Sequence, residues 1–125
     1  MVNKMLIGMG VLFATAGTAA AQSYEAEIDC GDRDSAPGER VPFTIRLEEQ
    51  AFDTHMIELT VRVSPPDRPD RTVFETTIEL APNEDQDVRR FLRLPITAPT
   101  GEYQLRLRAD DGTLIVRDSC SFDVV

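Results

Sequence analysis

Apolar and polar residues alternate along most of the chain, which is the pattern of a β-strand with one buried and one exposed face. Between positions 57 and 63, for example, the odd positions are isoleucine, leucine or valine, whereas the even positions are glutamate, threonine and arginine. Turn-forming segments separate such runs, and none of the runs has a helical period. The pattern therefore predicts seven strands, within residues 24–30, 41–47, 57–63, 74–80, 88–96, 103–109 and 114–124.

Strands that alternate in this way bury one face only, so we expect antiparallel sheets packed as a pair around one core. Seven short strands in about 100 residues, separated by turns, are typical of an immunoglobulin-like sandwich. The predicted fold class is all-β: a seven-stranded antiparallel immunoglobulin-like β-sandwich over residues 22–125, after an N-terminal signal peptide.

Two of the runs depart from strict alternation. In the fifth run Leu92 and Ile96 share the inward parity, that is, they fall on the alternate positions that point into the core. The same alternation predicts that Arg90 points inward and Phe91 outward unless a β-bulge intervenes. In the seventh run Asp118 falls on the inward parity among apolar residues.

The first 21 residues do not follow the strand pattern. A positively charged start precedes an apolar stretch from Met5 to about Ala16, and small residues follow up to an Ala-x-Ala sequence ending at Ala21. This order of regions predicts a signal peptide, residues 1–21, that signal peptidase removes. The alternative is a membrane anchor, but the stretch is short and weakly apolar for a span. We therefore expect a mature domain, residues 22–125, that is periplasmic or secreted and not inserted in a membrane.

The predicted mature domain is strongly acidic. It carries 12 arginines, no lysine and 22 acidic residues, which gives a net charge of −10. Proteins that bind nucleic acid or anionic lipid concentrate positive charge, so this balance argues against both kinds of partner. Acidity is also a common source of solubility, so it does not by itself indicate a ligand.

Cys30 and Cys120 are the only cysteines, and both fall on inward positions at the first and last predicted strands. These strands are neighbours in an immunoglobulin-like sandwich, and export places the thiols in an oxidising compartment. Two thiolates alone make a poor zinc site, since four ligands are usual and the single histidine, His55, lies far away in sequence. The sequence therefore predicts a structural disulfide between Cys30 and Cys120.

Two segments of the chain resemble known domains. Residues 37–44, PGERVPFT, resemble the turn into the second strand of many bacterial immunoglobulin-like domains, and the later segment LPITAPTGEYQL resembles the corner in their closing half. Pro99, Gly101 and Tyr103 match the family pattern of this corner. The resemblance is to the cell-adhesion-related and carbohydrate-enzyme-associated kinds, and it implies the fold rather than an activity.

No residues form a recognisable catalytic or cofactor-binding pattern. His55 follows Asp53 closely, but a triad also needs a nucleophile held nearby, and no Gly-x-Ser-x-Gly sequence is present. We therefore expect His55 to be a solvent-exposed loop residue, and we expect the protein to be no enzyme and to need no cofactor or metal. The spacing of the acidic loops does not match an EF-hand. Because loops of different strands meet at each end of a sandwich, calcium binding stays an alternative.

Three arginines fall on outward positions of strands that are neighbours in such a sandwich: Arg62, Arg106 and Arg108. Together they form a candidate surface for carboxylates or sulfates. The alternative is that they pair across the ladder with Glu58 and Glu102. The sequence thus predicts an exported non-enzymatic interaction module whose partner is another protein. A calcium- or glycan-binding accessory domain and a small hydrolase inhibitor are the alternatives, and the identity of the partner and the oligomeric state are left open.

Overall fold

The computed structural model describes residues 23–125, which form seven β-strands. The predicted signal peptide lies outside the described residues. The strands are β1 (Tyr24–Asp29), β2 (Arg40–Glu49), β3 (His55–Ser64), β4 (Arg71–Leu80), β5 (Asp85–Arg93), β6 (Gly101–Asp110) and β7 (Ile115–Val124).

The seven strands form two sheets that face each other. The small sheet has the order β1-β2-β5 and the large sheet the order β4-β3-β6-β7, and all paired strands are antiparallel. The prediction of an all-β antiparallel sandwich is therefore confirmed.

The core lies between the sheets and contains the inward side chains that the alternation predicts. Among the fully buried side chains are those of Ile45 and Leu47 from the small sheet and of Leu59, Val61 and Leu105 from the large sheet. The hydrophobic effect on such side chains supplies roughly 1.5–3 kcal/mol each, so this interleaved set is the main source of stability.

A disulfide joins Cys30, directly after β1, to Cys120 on β7, in agreement with the predicted pairing; the two Cα atoms are 5.7 Å apart. It connects the small sheet to the large sheet across a sequence separation of 90 residues. Closing a loop of that length restricts the unfolded chain and contributes on the order of 4–5 kcal/mol in the chain-entropy account. The bond fits a protein of an oxidising compartment.

The predicted orientation of the fifth run is wrong at Ile96. Ile96 is 85% exposed, because β5 ends at Arg93 and the chain turns where the N–H of Ala98 donates to the carbonyl of Pro95. Arg90 lies opposite the buried Phe43 and so has the inward orientation that the alternation predicts, but it is exposed, with its guanidinium 5.3 Å from the ring centroid of Phe74. β4 and β5 are the edge strands on one side of the sandwich, so a long side chain on the inward parity reaches solvent there.

The inward side chain of Asp118, on β7 of the large sheet, has a partner on β1 of the small sheet. Its Oδ2 accepts a hydrogen bond of 2.9 Å from the backbone N–H of Ile28 on β1. β1 is an edge strand, and an inward carboxylate that occupies an edge N–H reduces the ability of that edge to pair with another chain.

The corner before β6 has the geometry that its sequence suggested. The hydroxyl of the buried Tyr103 donates a 2.7 Å hydrogen bond to the carbonyl of Pro99. Gly101 has a φ of +134°, and a Cβ there would lie 3.0 Å from Cγ of Pro66. Both the positive φ and the short distance to the Pro66 side chain therefore favour glycine at this turn.

Candidate functional site

The large sheet brings Arg62, Arg106 and Arg108 together on its outer face and adds a fourth arginine, Arg117. Arg62 on β3 lies directly opposite Arg106 on β6, and Arg108 on β6 lies directly opposite Arg117 on β7. We call these four residues the arginine face. It consists of two like-charged cross-strand pairs on adjacent rows of one sheet.

The arginine face places like charges where opposite charges would stabilise the fold. Cβ atoms of directly opposed residues are about 4.5–5.5 Å apart, and like charges at that position are destabilising. The chain has 22 acidic residues with which the ladder could have paired its arginines. Like-charged opposed pairs also occur elsewhere in the described strands, for example Arg40 with Arg93 and Glu25 with Glu48. What distinguishes the arginine face among them is that two arginine pairs lie on adjacent rows of one exposed surface.

The arginine face borders a concave surface of about 800 Å³ on the outside of the large sheet. Besides the four arginines, Leu107 and Asp118, hydroxyl and amide side chains line it: Thr60, Thr72, Gln104 and Ser119. These groups are hydrogen-bond donors as well as acceptors. The surface is therefore suited to an anion that accepts several hydrogen bonds.

Two of the arginines already touch carboxylates of the domain. Nη1 of Arg106 is 3.6 Å from Oδ2 of Asp70, and Nη2 of Arg108 is 3.1 Å from Oδ2 of Asp110. Within residues 23–125, Arg62 and Arg117 have no carboxylate oxygen within 4.0 Å. Half of the positive charge of the face is thus unpaired in the domain itself.

The predicted alternative of pairing with Glu58 and Glu102 is wrong. The register sets Glu58 opposite Asp110, and Glu102 opposite Asp123. The sequence pattern gives the side of the sheet to which a residue points but not its cross-strand neighbour. For the same reason the outward position of Arg117 in the seventh run did not indicate that this residue lies opposite Arg108 and belongs to the arginine face.

A second polar cluster is buried at one end of the sandwich, and it centres on His55. The histidine is only 8% exposed, its Nε2 is 3.1 Å from Oε2 of Glu49, and its Nδ1 is 3.0 Å from Oδ2 of Asp111. The expectation of a solvent-exposed loop histidine is therefore wrong. Asp53, the neighbour in sequence, instead accepts a hydrogen bond from the backbone N–H of Thr54.

Hydrogen bonds favour the ionised forms of the side chains in this cluster, against the effect of burial. Burial alone would raise the pKa of Glu49, but hydrogen bonds from the backbone N–H groups of Asn83 and Ala51 and from His55 lower it to about 2. Burial would lower the pKa of His55, but its bonds to Asp111 and Glu49 raise it. The pKa of Asp111 is lowered against the effect of burial, mainly by the backbone N–H groups of the following turn.

The cluster ties the strand ends together and is not arranged for acid–base catalysis. Glu49 ends β2, His55 begins β3, and Asp111 follows β6, so one imidazole connects both sheets. Both ring nitrogens face carboxylates, which leaves neither free to accept a proton from a nucleophile. The Tyr24 ring lies 5.5 Å from the imidazole.

Two features of other kinds of site are absent from the described part of the chain. Residues 23–125 contain no group of three or more histidine, cysteine, aspartate or glutamate side chains that could hold a metal ion. The same residues contain no helix long and apolar enough to cross a membrane.

Comparison with known proteins yields structural likeness only. No family model and no curated protein matches the chain. The fold is similar to the CARDB domain of a Pyrococcus furiosus protein, crystallised in complex with di-metal ions, with a TM-score of 0.65 and 13% identity over 82% of this chain and 87% of that one. This likeness confirms the resemblance to bacterial immunoglobulin-like domains at the level of the fold.

Parts of two larger enzymes are also similar in fold. One is the Pseudomonas fluorescens alkylpurine DNA glycosylase AlkC, with a TM-score of 0.66, 14% identity and coverage of 85% of this chain but 31% of the enzyme. The other is a family 123 glycoside hydrolase from Clostridium perfringens, with a TM-score of 0.62, 11% identity and coverage of 83% of this chain and 27% of the enzyme. The chain thus spans about a third or less of either enzyme.

Proposed function

We propose that the mature protein is an exported, non-enzymatic interaction module that binds an acidic protein partner through the arginine face. The observation that carries this proposal is the placement of Arg62 opposite Arg106 and of Arg108 opposite Arg117 on an exposed concave surface. Arginine is the residue best suited to hold carboxylates, because its planar guanidinium presents two parallel donors.

The net charge of the domain does not prevent binding of an acidic partner. Repulsion between exposed charges is largely screened beyond about 8 Å at physiological ionic strength, whereas contacts at the arginine face act below that distance. The proposal therefore predicts binding that depends on the local charge of this face and weakens as salt is added.

The absence of enzymatic activity is part of the proposal. It is supported by the His55 cluster, in which both imidazole nitrogens are engaged by Glu49 and Asp111. The activities of the glycosylase and the glycoside hydrolase are not carried over, because the likeness covers 31% and 27% of those chains.

Export and the choice of ligand class rest on separate observations. The disulfide between Cys30 and Cys120 fits the oxidising environment of the periplasm or the cell exterior, and the residues 1–21 predict the signal peptide. The class of ligand is a separate question. The CARDB domain was crystallised with metal ions, but the residues of this chain that the structure describes offer no group of three histidine, cysteine, aspartate or glutamate side chains that could hold one. A protein partner is therefore better supported than calcium. An inhibitor of a hydrolase would belong to the same class of function.

The proposal is tested with a charge-matched pair of double variants. Arg62→Ala/Arg106→Ala removes half of the arginine face, whereas Arg89→Ala/Arg93→Ala removes two exposed arginines from β5 of the small sheet. The partner is first isolated by cross-linking in living cells and identified by mass spectrometry. Loss of that partner from the first variant and its retention by the second supports the proposal. Equal retention by both variants overturns it.

A further inference from the structure

The two arginine pairs define two separate places that a carboxylate fits. The first lies above Arg62 and Arg106, between β3 and β6, and the second above Arg108 and Arg117, between β6 and β7. Because opposed side chains begin about 4.5–5.5 Å apart, one carboxylate above a pair accepts hydrogen bonds from both guanidinium groups. Each place therefore suits one acidic side chain.

The distance between these places follows from sheet geometry. Arg106 and Arg108 are two residues apart on β6, about 6.7 Å along the strand, and the pair centres are also offset by one strand spacing of about 4.8 Å. The two places are thus about 8 Å apart on a diagonal across β6. An extended chain carries side chains on one side at alternate positions, about 6.7 Å apart, and flexible glutamate or aspartate side chains close the remaining gap.

Other spacings of acidic residues fit this geometry less well. Neighbouring residues of an extended chain point to opposite sides, so only one of two would face the sheet. Residues four apart in an extended chain are about 13 Å apart, which exceeds the distance between the two places.

We infer that the partner presents an extended segment with two acidic residues at alternate positions, which lies across β6 with one carboxylate over each arginine pair. This inference rests on the proposed function, because it specifies the ligand of the same face. Asp70 and Asp110 already place carboxylates against Arg106 and Arg108, which shows that the face accepts this group. Within residues 23–125, the other member of each pair, Arg62 or Arg117, has no carboxylate oxygen within 4.0 Å.

The surroundings of the face favour a peptide over a sulfated or acidic glycan. The residues that line the concave surface in the described part of the chain include no aromatic side chain on which a sugar ring could stack. Its volume of about 800 Å³ is far larger than one carboxylate requires and fits several residues of a peptide.

The inference is tested by titrating the isotope-labelled protein with three capped peptides of one composition, each with two glutamates in a glycine–serine background. The glutamates are adjacent, separated by one residue, or separated by three residues. Side-chain Nε–Hε signals of the arginines are followed by NMR at low ionic strength. We expect the peptide with one intervening residue to bind about two- to fivefold tighter than the others, the gain of one further exposed ion pair. It should shift the signals of all four arginines.

The variants make each outcome decisive. Arg62→Ala should remove the preference for spacing, and Arg89→Ala on the small sheet should retain it. Equal affinity for the three peptides, an unchanged set of arginine signals, or tighter binding of a sulfated disaccharide overturns the inference. If any of these three results is obtained while the Arg62→Ala/Arg106→Ala variant still loses its cellular partner, the proposed function stands. Only the inference that the partner presents an extended acidic segment is then wrong.

Discussion

Nδ1 of His55 lies 3.0 Å from Oδ2 of Asp111, and through this contact the first residue of β3 is joined to the turn between β6 and β7. The other nitrogen of the same ring faces Glu49 at the end of β2. When His55 is protonated, its imidazole and the two carboxylates together carry one net negative charge, and backbone N–H groups that donate to Glu49 and Asp111 stabilise it.

Replacement of His55 by alanine is expected to destabilise the domain by on the order of 1–3 kcal/mol, the cost of leaving buried polar groups without a partner. The carboxylates of Glu49 and Asp111 would lose their common counter-charge. Urea denaturation followed by circular dichroism measures the change. Thr54→Ala, at an exposed neighbouring position, is the control. Equal stability of the two variants would show that the cluster contributes nothing.

The stability of the domain should be greatest between about pH 4.5 and 6.5. The folded state raises the pKa of His55 above 6.5, so this contribution is complete below pH 6.5 and is lost as pH rises through the folded value. The folded state lowers the pKa of Glu49 from 4.5 to about 2, so that contribution is present above pH 4.5 and is lost as pH falls. Urea denaturation at pH values from about 2 to 9 measures both limbs. A His55→Ala variant that keeps the alkaline decline would refute the assignment to His55.

Removal of the Asp118 carboxylate should destabilise the domain and expose the edge of β1. The backbone N–H of Ile28 would lose its acceptor, at a cost of about 1–3 kcal/mol. The unpaired edge should also promote self-association, because edge strands pair with other chains when nothing protects them. Asp118→Ala is compared with Asp123→Ala, an exposed position on the same strand, by urea denaturation and sedimentation velocity. The same monomer content and stability in both variants would count against a protective role.

Asp70→Asn should strengthen the binding of an acidic ligand. Asp70 lies 3.6 Å from Arg106 and competes with an incoming carboxylate for the guanidinium. Removing its charge is expected to raise the affinity about two- to fivefold, the range of one exposed ion pair. Asp67→Asn removes a charge from the same loop at an exposed position and serves as the control. Calorimetric titration with the alternately spaced peptide gives the comparison, and equal affinities of the two variants would exclude competition by Asp70.

Residue parity predicted the strands and the sides to which most residues point. It placed Cys30 and Cys120 on inward positions and Arg62, Arg106 and Arg108 on outward ones, because a strand turns every second side chain to the same face. It was misleading at Ile96, because the strand ends earlier than the apolar pattern and the chain turns at Pro95.

Contacts between distant residues were not predictable in this way. His55 and Asp111 are 56 positions apart, and only the packing of the β2–β3 and β6–β7 connections against each other makes them neighbours. The pairing of Arg108 with Arg117 likewise depends on the register of β6 and β7, which outward parity alone does not determine. The candidate site could therefore be predicted as a set of residue types but not as two opposed pairs.

The most direct test of the account is to map where the partner touches the domain. A reagent that joins carboxylates is needed, because the mature domain has no lysine. If the arginine face is the binding surface, cross-links in living cells should form at Asp70, which contacts Arg106, and at Glu58 and Glu102, which are exposed on β3 and β6 of the same sheet. Cross-links confined to Glu25, Glu27 and Asp87, which are exposed on the small sheet, would contradict the account.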